Sequence, residues 1–236
     1  VAVAMVKNAI EDTGRQVADH RMNLTKCSRI CRFDDGNMEN QRVEPAASDH
    51  YIVNDDGICI VEKITWGEVK VGDILYIEKD EQIPADIVLL SAAGDGFHAY
   101  VETSNIDGEI NRKLRNAARA EPSSEQEVFQ QPEHFCAKKD FSILCEAPNS
   151  SIHSFKGVMR DNDKEISLDA TSLLLRGSTL RNTELAIGAV VYTGKETKTA
   201  MNSRDVPFKI SSIERTMNDI INTIILTIAA LTVFGE

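Results

Sequence analysis

From residue 51 to residue 194 the chain repeats one pattern. A short apolar, β-branched run is followed by a polar turn, and another run begins. YIV (51–53), ICIVEKI (58–64), DILYI (73–77) and DIVLLS (86–91) are separated by DDG, WG, VGD and QIPAD, and AAGDG follows the last of them. HAYVE (98–102), FSILCE (141–146), SLLLRGSTL (172–180) and LAIGAVVYTG (185–194) continue the series. Short runs at this spacing, broken by Gly, Pro, Asn and Asp, predict a mainly β domain of the sandwich or roll type. Residues 7–23 (KNAIEDTGRQVADHRMN) predict a helix, with Glu11 and Asp12 placed to meet Arg15 one turn on. A second charged helical stretch follows the last strand, through KETKTAMN and KISSIERTMN.

Two stretches do not fit the strand pattern. Residues 26–50 are polar, contain DDG and Pro45, and read as a surface excursion. Residues 115–140 are polar, contain Pro122 and Pro132, and read as an insertion. The two ends are apolar. Residues 220–235 (IINTIILTIAALTVFG) carry no charge and no polar stripe, as the start of a membrane span would. VAVAMV at 1–6 reads as the end of another span, since no basic region precedes it as in a signal peptide. Lys7, Arg15, Lys209 and Arg215 flank these ends and favour the cytosolic side for what lies between. The expected organisation is a span end at 1–6, a linker helix at 7–25, a β domain at 26–204, a linker helix at 205–219 and a span start at 220–236.

Composition narrows the function classes. The net charge of −11 makes the chain a poor candidate for non-specific binding to nucleic acid. Five cysteines are too sparse for a disulfide scaffold and read as reduced thiols. The five histidines are scattered, with none at i+4 from another, so no metal site is indicated. Asp12-Thr13-Gly14 matches an aspartic-protease triplet, but Arg15 stands where Ser or Thr is required and no second copy exists. Gly188 to Lys195 approximates a phosphate-binding loop, but its glycine spacing is too long and Glu196 replaces the magnesium-binding hydroxyl.

TSNIDGEINRK (103–113) is the segment with chemistry to offer. It is polar yet directly follows the run HAYVE. Asp107 and Gly108 form a turn in which Gly108 can take positive φ, and the turn projects Glu109 outward. A carboxylate on a rigid projecting loop suits general-base work on water in a partner domain. On composition alone an ordinary solvated hairpin turn is the more frequent explanation of such a segment.

Five segments together resemble the actuator domain of type IV P-type ATPases, the phospholipid flippases. They are WGEVKVGDILYIEKDEQIPADIVLLS (66–91), ETSNIDGEINRKLR (102–115), ILCEAPNSSIHSFKG (143–157), LLLRGSTLRNTELAIGAVVYTGKETK (173–198) and KISSIERTMN (209–218). VGDI and PAD occur across P-type ATPases, whereas CEAPN, LLLRGSTLRNT and DGE are specific in combination. The helix at 7–23 resembles the family's exit from its second span.

The resemblance implies an actuator-type distorted jelly roll, with flanking helices leading to membrane spans. It implies a cytosolic domain of an integral membrane pump that uses ATP and Mg2+, neither held by this chain. Glu109 would activate the water that hydrolyses an aspartyl phosphate in a separate domain. Asp107 and Gly108 would shape the loop, with Thr103, Ser104, Asn105 and Ile110 supporting it. The implied partners are the phosphorylation and nucleotide-binding domains, a phospholipid, the membrane and a small accessory subunit. Nucleic acid is not among them. The linkers at 7–23 and 205–218 would transmit the domain's rotation to the membrane helices.

The chain departs from the family pattern in three places. It has no DKTGT phosphorylation motif, so it is expected not to hydrolyse ATP by itself. Its 26–50 region is longer and more polar. Ile110 replaces the threonine of DGET. The competing readings are the actuator of a cation-transporting P-type ATPase, which would lack CEAPN and LRNT, and a non-catalytic membrane-tethered β domain.

Overall fold

A computed structural model of the chain describes residues 2–33, 50–54, 57–93, 97–118, 141–161, 164–204 and 212–234. They fall into two units, 24–204 and a second made of 1–23 with 205–236. Among the described residues, the first contains thirteen strands in three antiparallel sheets, the mainly β architecture expected of the sequence.

The largest sheet has seven strands in the order β11-β5-β13-β4-β1-β3-β2. They are β1 (Lys26–Phe33), β2 (His50–Asn54), β3 (Gly57–Thr65), β4 (Ile74–Glu78), β5 (Asp86–Ala92), β11 (Leu173–Leu174) and β13 (Leu185–Tyr192). A second sheet orders β12 (Thr179–Arg181), β6 (His98–Glu102) and β7 (Lys113–Asn116). A third orders β10 (Lys164–Leu168), β9 (Gly157–Asp161) and β8 (Phe141–Cys145).

The near-continuous apolar runs of β5 and β13 have a direct cause: every residue in both strands is buried. Ile87 and Leu89 point into a core shared with Val101 and Leu180 of the second sheet. Val88 and Leu90 point the other way, into a core shared with Met159 and Leu168 of the third. A strand covered on both faces cannot alternate apolar and polar residues. Each large aliphatic side chain buried this way contributes about 1.5–3 kcal/mol. Gly188 of β13 pairs with Leu89 of β5. A Cβ there would stand 2.8 Å from the Ile87 Cδ1 and 2.9 Å from the Val88 carbonyl. This glycine belongs to a strand, as its departure from the phosphate-loop spacing indicated.

Two expectations require correction, and one element escaped the pattern. Residues 26–33 are not a surface excursion but strand β1, paired along its length with β3 from Lys26↔Thr65 to Phe33↔Ile58. Two of its polar residues, Ser28 and Arg29, find partners on or beside neighbouring strands. Lys63 Nζ donates to Ser28 Oγ at 2.6 Å, and Arg29 bonds Glu62 at 2.7 Å and lies 3.5 Å from Asp73. Cross-strand polar pairs of this kind add to the stability of a strand. Second, Arg115 and Asn116 belong to β7, and Ala118 is buried, so the domain continues past the expected start of the insertion. The rest of both polar stretches, 34–49 and 119–140, lies outside the described residues. The β9–β10 hairpin has no counterpart in the apolar pattern. Only Met159 and Leu168 of its described side chains are buried, so little periodicity marks it.

The second unit contains α1 (Ala2–Asn23) and a 23-residue helix that includes residues 220–234. Among the described residues no helix is long and apolar enough to cross a membrane.

Candidate functional site: the DGE loop and its anchors

Between its two strands the hairpin β6–β7 carries a ten-residue excursion, 103–112, closed at the base by the Val101↔Lys113 pair. Val101 is buried, which fixes the base to the core. Thr103 then starts one turn of helix, α2 (Ser104–Asp107), accepting at its carbonyl from the amides of Ile106 and Asp107. Gly108 ends the turn at φ 75, the left-handed region where a side chain is unfavourable, and its amide donates to the Ser104 carbonyl at 3.1 Å. The chain direction thus reverses at Gly108, as the sequence suggested, but through a capped helical turn rather than a plain hairpin.

Asp107 holds this geometry from within. Its Oδ1 accepts from the Thr103 hydroxyl at 2.9 Å and from the Glu109 amide at 3.0 Å. Its Oδ2 accepts from the same hydroxyl at 3.0 Å and from Lys113 Nζ at 2.5 Å. Partial burial, the largest single influence, pushes this carboxyl up. The bonds from Lys113, the Glu109 amide and Thr103 outweigh it and bring Asp107 down to about 2. The Lys113 ammonium is raised in turn, chiefly by Asp107.

Glu109 differs. Its backbone is pinned by Asp107, but its side chain is 59% exposed and its carboxylate meets Lys113 Nζ at 3.0 Å. Of the supporting residues, Thr103 is buried and Ser104 donates to Glu102 Oε1 at 2.6 Å. Asn105 is exposed and Ile110 is 80% exposed. Glu102 also accepts from Arg181 Nε of β12 at 2.9 Å, and Arg181 pairs with Asp80 as well. The bond from Ser104, then that from Arg181, lower the Glu102 carboxyl.

Lys113, Glu102 and Arg181 were not singled out in the sequence. A four-residue separation of Glu109 and Lys113 was visible, but outside a helix that spacing carries no contact information.

A second charged cluster joins the other motifs. Asp86, of QIPAD, is fully buried. It accepts from the Arg176 amide at 2.8 Å and the Lys198 amide at 2.7 Å. Burial raises its carboxyl despite these bonds. The fully buried Lys198 side chain donates to Asn149 Oδ1 at 2.7 Å and Glu146 Oε1 at 3.1 Å, with the Phe155 and Tyr192 rings each at 5.9 Å. CEAPN, LLLRG and YTGKETK, dispersed in sequence, therefore meet in one structural junction.

The mainly β architecture agrees with the class that the family comparison gives. Residues 50–204 match the P-type ATPase actuator domain, and the chain belongs to that family. Its similarity runs to the type IV, phospholipid-transporting members. It is 38% identical over 226 residues to Probable phospholipid-transporting ATPase 11 of Arabidopsis thaliana, covering 94% of this chain and 16% of that protein. It is 43% identical over 172 residues to Probable phospholipid-transporting ATPase 12 of the same plant, covering 72% and 14%. It is 36% identical over 217 residues to human Phospholipid-transporting ATPase VB, covering 92% and 13%. The chain therefore spans less than a fifth of the length of these relatives.

Proposed function

We propose that this chain is the actuator domain of an ATP-driven phospholipid flippase, and that its DGE loop drives hydrolysis of the aspartyl-phosphate intermediate. The observation that carries the reading is the division of labour between two adjacent carboxylates. Both oxygens of Asp107 are engaged within the loop, whereas Glu109 stands beyond it and open to solvent. A general base must reach a water held by another domain, and only the second carboxylate has that freedom.

In the hydrolysis step Glu109 takes a proton from water as the water oxygen bonds to phosphorus. The bond from phosphorus to the aspartate oxygen breaks, leaving a carboxylate and inorganic phosphate. The phosphorylated aspartate, the nucleotide site and the magnesium belong to other domains of the full-length protein. Coupling to phospholipid translocation would pass through the flanking helical segments into the membrane, with a small accessory subunit as a further partner. The relatives' shared description as phospholipid-transporting supports lipid rather than cation as cargo.

The test is Glu109→Gln in the full-length protein. The phosphoenzyme should form from ATP and persist, and lipid transport should stop. Normal decay of the phosphoenzyme would refute the assignment.

A further inference from the structure

Lys113 is the cation that touches both loop carboxylates. It opens β7 opposite the buried Val101, so the sheet fixes its backbone, and its ammonium reaches back across the mouth of the loop to Asp107 and Glu109. Its side chain is only 26% exposed, against 59% for Glu109. Glu109 has a long side chain and no other described hydrogen-bond partner for its carboxylate. Without a tether the carboxylate would sample many rotamers and reach the productive one in a fraction of encounters.

A second difficulty is electrostatic. The proposed base is an anion, and it must approach a phosphoryl group that is also anionic. Two like charges brought within a few ångströms, with water partly excluded, repel strongly. A cation that travels with the base offsets this repulsion at the position where charge redistributes.

We infer that Lys113 is a positioning residue for hydrolysis: it orients Glu109 through their ion pair and accompanies it to the phosphorylated site, offsetting repulsion from the phosphoryl group. The inference rests on the reading of Glu109 as the base. Asp107 belongs to the same device, since it holds the other side of the ammonium and so fixes where that charge sits.

The experiment uses the full-length protein. Phosphoenzyme is formed with radiolabelled ATP, chased with unlabelled ATP, and its decay followed for wild type, Lys113→Met, Lys113→Arg, Arg112→Gln and Glu109→Gln. The double variant Lys113→Met/Glu109→Gln completes a cycle. The initial phosphoenzyme level shows that each variant is folded and takes ATP.

Lys113→Met should form phosphoenzyme normally and lose it about tenfold more slowly, the effect of removing one charge-assisted hydrogen bond. Lys113→Arg should recover most of that rate. Arg112→Gln removes the same charge one position earlier and should change decay by less than about twofold. In the Glu109→Gln background, removing Lys113 should add less than about twofold, because a residue that acts through Glu109 has nothing left to act on.

Wild-type decay in Lys113→Met, with Glu109→Gln still blocked, would overturn this inference and leave the base intact. Equal slowing by Arg112→Gln would show a diffuse charge effect, and a full additional slowing in the double variant would show a role independent of Glu109. Either result would overturn it. Normal decay in Glu109→Gln would instead refute the reading on which it rests.

Discussion

Two acid–lysine clusters in this domain use the same residue types to opposite ends. At the loop, Asp107, Glu109 and Lys113 meet at the surface. At the junction, Asp86, Glu146 and Lys198 meet around side chains of which Asp86 and Lys198 are fully buried. Asp86 accepts two backbone amides, and Asp107 accepts one amide, a hydroxyl and an ammonium. Yet their carboxyls move in opposite directions, up by burial at Asp86 and down to about 2 at Asp107, where bonds to the ionised form outweigh desolvation. Burial turns a charged group into a structural joint. Partial exposure with full hydrogen bonding makes a rigid support that leaves its neighbour available for chemistry.

The largest effect should come from dismantling the buried joint. Asp86→Ala strands the amides of Arg176 and Lys198 without their acceptors, at roughly 1–3 kcal/mol for each unsatisfied buried group. Denaturant unfolding of the chain should therefore show a loss of about 2–6 kcal/mol. A loss below about 1 kcal/mol would show that water replaces the carboxylate, and the contrast with the loop would fail.

The next test separates the two carboxyls by pH. The folded value of Asp107 lies below the ordinary 3.8. Its stabilisation is therefore present above that ordinary value and is lost as pH falls toward about 2. Asp86 has the opposite sign. Its folded value is raised, so its contribution is fullest below the ordinary value and is lost as pH rises through the folded one. Thr103→Val removes the hydroxyl that donates to both oxygens of Asp107. It should cost about 0.5–1.5 kcal/mol at neutral pH. In an NMR titration the Asp107 carboxyl should move up toward its ordinary range while Asp86 stays unchanged. No movement of Asp107 would mean that Lys113 and the Glu109 amide alone hold it down.

Much of this was legible in the amino-acid pattern. The doubly covered strands β5 and β13 appear as apolar runs because each face meets its own core, and the loop appears as a polar interruption after a strand. Strand β1 was hidden because Ser28 and Arg29 are paired with Lys63, Glu62 and Asp73, residues more than thirty positions away. The same holds for the Asp86–Lys198 junction, whose members are separated by as many as 112 positions. Lys113 was overlooked because only the hairpin register, Val101↔Lys113, returns it to the loop. Asp107 and Glu109 were both visible as candidates. Their different roles follow from hydrogen-bond geometry that spacing alone does not encode.

The smallest expected effect on stability is at Ile110, where the family pattern has threonine. An exposed side chain at this position should alter stability by less than about 0.5 kcal/mol on substitution. Ile110→Thr restores a hydroxyl beside Glu109. In the full-length protein it should speed phosphoenzyme decay by roughly two- to tenfold if that hydroxyl bonds in the transition state. Unchanged or slower decay would show that the isoleucine is accommodated by an apolar partner.

The central claim is that one carboxylate of the loop does chemistry and the other supports it. Phosphoenzyme decay in Glu109→Gln and Asp107→Asn, measured side by side in the full-length protein, tests this most directly. The account predicts a persistent phosphoenzyme in Glu109→Gln. In Asp107→Asn, which keeps the base and loses part of its anchoring, it predicts decay that is slowed but still measurable. Wild-type decay in Glu109→Gln together with a block in Asp107→Asn would contradict it.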